Sequence, residues 1–125
     1  MSSVHNIDLI VNDVPRAVAF FRAVVGATVV QQFERFAELD AHSVKLLLSP
    51  DALVPASSSA GAILHFEEAD LDSVIARADA FGSTIVSGPL KTNAGTESVL
   101  VKGPEGVIVD FFRWAPATLL PAASS

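Results

Sequence analysis

Asp110 is the acidic residue whose neighbours are least compatible with a surface role. It lies in VIVDFFRW (107–114), with aliphatic residues on one side and two phenylalanines on the other. This pattern is typical of a buried strand, where an unpaired carboxylate is costly. We therefore expect Asp110 to have a partner or a function, such as proton transfer, ligand binding or metal ligation.

Other catalytic chemistries find little support. The chain has no cysteine, which removes a disulfide framework, a thiolate metal site and a cysteine nucleophile. Ser57, Ser58 and Ser59 stand in a linker without a nucleophile-elbow pattern, which argues against a serine hydrolase. GPLKTNAGT (88–96) lacks the lysine placement of a phosphate-binding loop.

Length, composition and charge narrow the class of protein. The 125 residues suit one domain with a real core. The eight Lys and Arg do not cluster and the net charge is −6, so we expect no nucleic-acid partner. The excess acid either keeps the protein soluble or faces a cationic ligand.

The sequence also predicts where the protein works. No apolar run approaches the roughly 20 residues that cross a bilayer, so we expect no membrane partner. The first residues, MSSVHNIDLIV, lack the basic start and long apolar stretch of a signal peptide. We therefore expect a cytoplasmic location.

A coarse internal repeat organises the chain. A short apolar strand, an Asp and an amphipathic helix ended by Gly occur twice, with Asp13 and Asp70 at matching points 57 residues apart. Each Asp is a good helix N-cap, and Gly26 and Gly82 are typical helix ends. Three extended segments follow each helix, near 28–33, 36–39 and 43–49 and near 84–86, 97–102 and 107–114.

These elements predict an α+β fold. Two βαβββ modules would place eight mixed strands around a cleft, with the helices outside, because a single module leaves one sheet face uncovered. We expect one domain over residues 1–115 and a frayed tail over 116–125. Within the domain we expect module one at about 4–49, a Pro- and Ser-rich linker at about 50–61, and module two at about 62–114.

Two stretches resemble the vicinal oxygen chelate superfamily, which holds glyoxalases, bleomycin-resistance proteins, type I extradiol dioxygenases and fosfomycin-resistance enzymes. VNDVPRAVAFFRAVVGA is similar to its strand–Asp–helix–Gly opening, and GTESVLVKGPEGVIVDFFRW is similar to its closing hairpin. The resemblance covers about residues 4–114. It implies the glyoxalase-like fold and, in metal-dependent members, one divalent ion held by side chains on the cleft strands.

The resemblance places Asp110 at the family's carboxylate-ligand position. The positions that match the remaining ligands hold Asn6, Leu47 and Ile63. Because divalent sites normally take about three protein ligands, we expect no metal cofactor. His5, next to Asn6, would point to the other face of its strand. One divalent ion bound in a different register is the alternative.

The same positions predict a ligand-binding row. His65 lies two residues after Ile63, and Asp8 two after Asn6, so both share the parity of the cleft-facing positions. With Asp110 they would form a polar patch that hydrogen-bonds a ligand, and Glu67 would continue it. Alternatively, His65 pairs with Asp8 or Asp110 in a filled core. Without such a pair Asp110 would be a lone carboxylate, and Asp110→Asn would stabilise the protein.

Phe112 and Trp114 share the parity of Asp110 and would either stack on a ligand or pack in the core. We predict as substrate-binding residues Asn6, Asp8, His65, Asp110 and Phe112. An acidic, aromatic cleft suits a cationic, partly planar small molecule.

Three functions fit this pattern. The favoured one is a metal-free small-molecule-binding protein that sequesters its ligand, as in antibiotic resistance. The second is an enzyme, namely a glyoxalase-like lyase, an isomerase or an extradiol-type dioxygenase with one divalent ion, or a metal-free acid–base catalyst using Asp110 and His65. The third is a degenerate module with a filled cleft that binds a protein partner. The resemblance also implies a homodimer.

Overall fold

The computed structural model describes residues 5–51 and 58–115, which form two compact units. The first unit contains the described residues up to Ala62 together with Gly103–Val107. The second contains Ile63–Lys102 and the described residues from Ile108 onward. The predicted tail (116–125) and the central part of the predicted linker (52–57) lie outside the described residues.

The first unit is one βαβββ module. Its elements are β1 (Asn6–Ile10), α1 (Val14–Phe20) with a π-helical extension (Phe21–Val25), β2 (Thr28–Phe33), β3 (Phe36–Ala41) and β4 (Val44–Ser49). The strand order is β1-β4-β3-β2, with β1 parallel to β4 and the other pairs antiparallel. The helix packs on β3 and β4, and the buried residues between them include Val14, Ala17, Val18, Phe21, Leu39, Leu46 and Leu48.

The second unit repeats this plan. Its elements are β5 (Ile63–Glu67), α2 (Leu71–Phe81), β6 (Ile85–Lys91), β7 (Thr96–Lys102) and β8 (Ile108–Trp114). The strand order is β5-β8-β7-β6, with β5 parallel to β8. Helix α2 contacts β6, β7 and β8, and the buried residues include Leu71, Val74, Ala78, Val99, Val101, Val109 and Phe111.

The helices begin where the repeat predicted. The Asp13 side chain accepts a hydrogen bond from the Arg16 backbone N–H (3.0 Å), and Asp70 accepts from Ser73 (3.1 Å). Gly26 and Gly82 end the two helical segments in the left-handed conformation, which a residue without Cβ adopts at little cost. The α+β fold of two βαβββ modules is confirmed.

Strand β6 is longer than the sequence indicated. The sequence predicted an extended segment only near 84–86. The strand instead continues to Lys91 by means of two register shifts against β7. An edge strand tolerates proline because its outer N–H groups have no ladder partner, and β6 is such an edge.

The tip of the β7–β8 hairpin is part of the first unit. Pro104–Gly106 form a short turn at this tip, in which Glu105 has a positive φ of 51°. The Glu105 carboxylate accepts hydrogen bonds from the backbone N–H groups of Asn12 (2.8 Å) and Asp13 (3.0 Å). The hairpin tip is therefore hydrogen-bonded to the segment that precedes α1.

Within the described ranges, neither helix has the length and apolar character needed to cross a membrane.

Candidate functional site

The sheet of the second unit has one face that α2 does not cover. Directly opposed residues in a ladder share a face, so His65, Asp110 and Leu100 lie side by side across β5, β8 and β7. Their neighbours Val109 and Phe111 point to the opposite face and are buried beneath α2. We call the face that carries His65, Asp110 and Leu100 the dyad face, after the pair that His65 and Asp110 form on it.

His65 and Asp110 form a close pair on the dyad face. The imidazole Nδ1 lies 2.6 Å from Asp110 Oδ2. The Asp110 side chain is only 11% exposed, whereas the His65 side chain is 60% exposed. The sequence left open whether His65 pairs with Asp8 or Asp110 in a filled core. In the structure it pairs with Asp110, and its ring faces solvent.

The second carboxylate oxygen of Asp110 is not satisfied by the protein. Oδ1 is buried and has no hydrogen-bond partner among the described residues. A buried acceptor without a donor is uncommon, because it loses its hydration without compensation. Asp110 is therefore not the lone carboxylate considered in the sequence analysis, because Oδ2 is paired with His65. Its Oδ1 has no such partner among the described residues.

Aromatic rings border this pair. Phe112 is partly exposed and lies on the same strand face, two residues beyond Asp110. Trp114 follows it, is 61% exposed, and meets Phe112 edge to face with ring centroids 6.2 Å apart. Trp114 is thus not a core residue, and the two rings extend the dyad face toward the end of β8. Glu67, on β5, is exposed on the same face.

The predicted residues Asn6 and Asp8 lie in the first unit. Both are exposed, and they face Lys45 and Leu47 on β4. Asp8 helps to line a pocket of about 230 Å³, together with Ile10, Phe36, Leu47, Ser49 and Asp51. The structure thus groups Asn6 with Asp8, and His65 with Asp110 and Phe112. A single row across both modules stays a prediction.

A charged cluster on the sheet face that carries Asn6 and Asp8 was not anticipated. The Lys45 ammonium lies 2.8 Å from Glu38 Oε2 and 3.2 Å from Asp40 Oδ1, and Gln31 also donates to Glu38. The hydrogen bond from Lys45, followed by that from Gln31, lowers the pKa of Glu38. The bond to Glu38, followed by that to Asp40, raises the pKa of Lys45.

The sequence contained a signal for this cluster. Glu38 and Asp40 alternate with buried residues in FAELDA, and Lys45 does the same in VKLLL, as expected for one face of adjacent strands. Lys45 is paired with Glu38 and Asp40, and Asp8 has no hydrogen-bond partner within the described part of the chain.

The donor set does not fit the divalent ion of the metal-dependent relatives. Asp110 and His65 supply one carboxylate and one imidazole, and about three protein ligands are normal. Across residues 5–51 and 58–115, no three His, Cys, Asp or Glu side chains are grouped so that they could hold a metal ion. The matched positions, Asn6, Leu47 and Ile63, add no carboxylate or imidazole.

Fold and site together define a two-module α+β protein with an acidic, aromatic sheet face. The model of the Glyoxalase/Bleomycin resistance protein/Dioxygenase superfamily matches residues 3–111. The chain belongs to this superfamily, as its opening and closing motifs indicated. Comparison with functionally curated proteins finds no significant match.

Several solved structures share the fold. A structure described as a conserved domain protein is 33% identical, with a TM-score of 0.80, and the match covers 90% of this chain and 99% of that one. TnmS3, an antibiotic binding protein from Streptomyces sp. CB03234, is 19% identical, with a TM-score of 0.76 and coverages of 92% and 98%. Lactoylglutathione lyase from Agrobacterium tumefaciens is 23% identical, with a TM-score of 0.71 and coverages of 90% and 94%.

Proposed function

We propose that this protein binds and sequesters a small organic molecule without the help of a metal ion. The observation that carries the proposal is the Asp110 carboxylate, whose Oδ1 is buried and lacks a donor among the described residues. Ligand sites commonly combine apolar surface with a few polar groups that fix orientation. On the dyad face, Asp110 is such a polar group, and Phe112 and Trp114 supply apolar surface.

The chemistry of the dyad face favours a ligand that donates hydrogen bonds and is partly planar. An ammonium or amidinium group on this face would be attracted by the negative charge of the Asp110 carboxylate, and a planar ring would pack on Phe112 or Trp114. Glu67 adds negative charge to the same face. Lys102 lies on this face at the far end of β7 and offsets part of that charge.

The comparison with TnmS3 supports a binding role rather than a specific ligand. That protein is described as antibiotic binding, and it shares the fold at 19% identity. Sequestration requires a complementary surface but no reaction centre. We therefore propose that antibiotic-like cations belong to the ligand class of this chain. Asn6 and Asp8 are proposed to take part through the first unit, where Asp8 lines a pocket.

Isothermal titration calorimetry with matched naphthalene compounds tests this proposal. We expect 2-naphthylmethylamine, which is cationic, to bind at least about tenfold more tightly than 2-naphthoate, a difference of roughly 1.4 kcal/mol. Asp110→Asn should remove this preference while leaving the binding of neutral 2-naphthylmethanol unchanged. Equal binding of the cation and the anion, or a preference that survives Asp110→Asn, would contradict the proposal.

A metal-dependent lyase, isomerase or dioxygenase is the alternative function. It is favoured by the position of Asp110, four residues after the last glycine of the closing hairpin, and by the shared fold of lactoylglutathione lyase. Elemental analysis of the purified protein separates the two functions. Less than about one-tenth of a metal ion per chain supports the binding protein, and close to one Mn, Fe, Ni or Zn per chain supports the enzyme.

We also propose that the protein is a homodimer, because small members of the superfamily usually pair. Light scattering at micromolar concentration should give about twice the chain mass of 13.1 kDa. A mass equal to that of one chain would contradict the proposal. The cytoplasmic location stays a prediction from the sequence.

A further inference from the structure

We propose that His65 and Asp110 act as a metal-independent general-base dyad, so that the second unit removes a proton from an acidic C–H bond of a planar substrate. His65 is the catalytic residue, and Asp110 is the positioning residue that acts through it. This activity goes beyond ligand binding and does not depend on which molecule the protein sequesters.

The contact with Asp110 determines which nitrogen of His65 carries the proton. An ionised carboxylate only accepts hydrogen bonds, so Nδ1, 2.6 Å from Asp110 Oδ2, must carry the proton. Nε2 of the neutral ring is then a free acceptor, and it has no hydrogen-bond partner among the described residues. A neutral imidazole with an available Nε2 is the form that removes protons in general-base catalysis.

Asp110 is placed to stabilise the imidazolium that proton transfer creates on His65. Asp110 is 8% exposed and is held on β8, directly opposite His65 in the parallel ladder. A fixed carboxylate next to Nδ1 stabilises the positive ring without having to move, as in hydrolases that orient a histidine with a buried aspartate. The pair has the donor order and the difference in burial that such a role requires.

The side chains around the His65–Asp110 pair indicate the class of substrate. On the dyad face the pair is bordered by Leu100 and Phe112, with Trp114 beyond, and these side chains suit an aromatic or conjugated ring. The His65 ring is 60% exposed, so a ring packed on this surface could reach Nε2 without a change of fold. The substrate class is therefore a planar carbon acid whose anion is stabilised by its own conjugation.

The probe is 5-nitrobenzisoxazole, whose ring opening needs only a base. Nε2 of His65 takes the C3 proton, and the C–H electron pair becomes the third bond of a nitrile. The N–O bond breaks, and its electron pair stays on oxygen as a coloured phenolate. Atoms and charge balance without a metal ion, an oxidant or a second substrate.

We expect kcat/KM of the wild-type protein to exceed the second-order rate constant of free imidazole by at least about tenfold. His65→Ala should lower kcat/KM by about 100-fold, the lower end of what general-base catalysis contributes, and added imidazole should restore part of the rate. His5→Ala is the matched control, because His5 is an exposed histidine without a carboxylate partner among the described residues. It should leave the rate unchanged.

Asp110→Asn isolates the positioning role. It should lower kcat by about tenfold while changing KM less than twofold, because the probe still packs on the same rings but Nδ1 loses its charged partner. Deuterium at C3 of the probe should slow the wild-type reaction severalfold, and EDTA should leave it unaffected. His65→Gln provides a second folded variant, which circular dichroism confirms before its rate is measured.

The proposal is overturned if wild-type protein is no faster than His65→Gln, if His5→Ala lowers the rate equally, or if EDTA abolishes turnover. These results are independent of the naphthalene titrations. Binding with no turnover would retain the proposed function and remove the dyad. Turnover with no preference for cations would retain the dyad and contradict the proposed function.

Discussion

His65 Nδ1 and Asp110 Oδ2 lie 2.6 Å apart, on residues that are directly paired in the parallel ladder of β5 and β8. Among the described residues, the imidazole is the sole hydrogen-bond partner of the Asp110 carboxylate, because the other oxygen is unpaired. Stability and chemistry at this point of the sheet therefore depend on one contact.

We predict that His65→Ala lowers the free energy of unfolding by about 1 kcal/mol. The change leaves the Asp110 carboxylate without a donor, and water that enters the space of the lost ring offsets part of the cost. Urea denaturation measures the effect. His5→Ala, which removes another exposed imidazole, should change the free energy by less than about 0.5 kcal/mol.

The same pair corrects the expectation that Asp110→Asn stabilises the protein. The NH₂ group then occupies the buried position of Oδ1. The amide oxygen still accepts from His65 Nδ1, but the charge-assisted hydrogen bond becomes a weaker neutral one, so we expect Asp110→Asn to destabilise the protein. A double-mutant cycle with His65→Ala should give a favourable coupling of at least about 0.5 kcal/mol. Additive effects would show that the 2.6 Å contact contributes nothing to stability.

Gly106→Ala should be more destabilising than Gly82→Ala. Both glycines have positive φ angles, +89° and +86°, so both substitutions incur the left-handed penalty of about 1–2 kcal/mol. A Cβ on Gly106 would also lie 2.6 Å from the Ala60 Cβ, whereas a Cβ on Gly82 meets nothing within 4 Å. We expect the difference between the two variants, measured by urea denaturation, to be at least about 1 kcal/mol. Equal effects would contradict the close approach of Gly106 to Ala60.

Glu105→Ala should destabilise the first unit by about 1–2 kcal/mol. Its carboxylate accepts from the backbone of Asn12 and Asp13 and from the Asn12 side chain, and water replaces these bonds only in part. Glu105→Gln, which keeps one acceptor, should have an intermediate effect. Glu34→Ala is the control for removing an exposed carboxylate, and thermal unfolding should leave it close to wild type.

Lys45→Met should destabilise the protein at neutral pH and have no effect at the extremes. Lys45 lowers the pKa of Glu38, so this stabilisation is lost as pH falls through the lowered pKa of the folded state. Glu38 raises the pKa of Lys45, so the stabilisation is also lost as pH rises through that raised value. The difference in urea midpoint between variant and wild type should therefore peak between these limits.

Lys102→Met is the control for this pH profile, because Lys102 is an exposed lysine without an ion pair among the described residues. Its difference from wild type should be small and flat across the same range. A flat profile for Lys45→Met as well would show that the 2.8 Å contact with Glu38 does not stabilise the fold.

Local signals in the sequence determined the elements of this protein. Asp13 and Asp70 predict the helix starts because a side chain that caps N–H groups three residues ahead needs no distant partner. Apolar periodicity predicts the buried helix faces for the same reason, and the opening and closing motifs were enough to identify the superfamily. Strand β6 was only partly predicted, because Gly88 and Pro89 signal a turn locally while the pairing with β7 keeps the chain extended.

Tertiary structure alone decided which side chains meet. The sequence placed His65 and Asp110 on strand faces, but their contact joins residues 45 apart and depends on the register of β5 against β8. A shift of one residue would turn one of the side chains to the other face of the sheet. Glu105 reaches Asn12 across 93 residues, and no local pattern encodes that contact. Such pairings depend on interactions that are spread over many residues, and no short stretch of sequence encodes them.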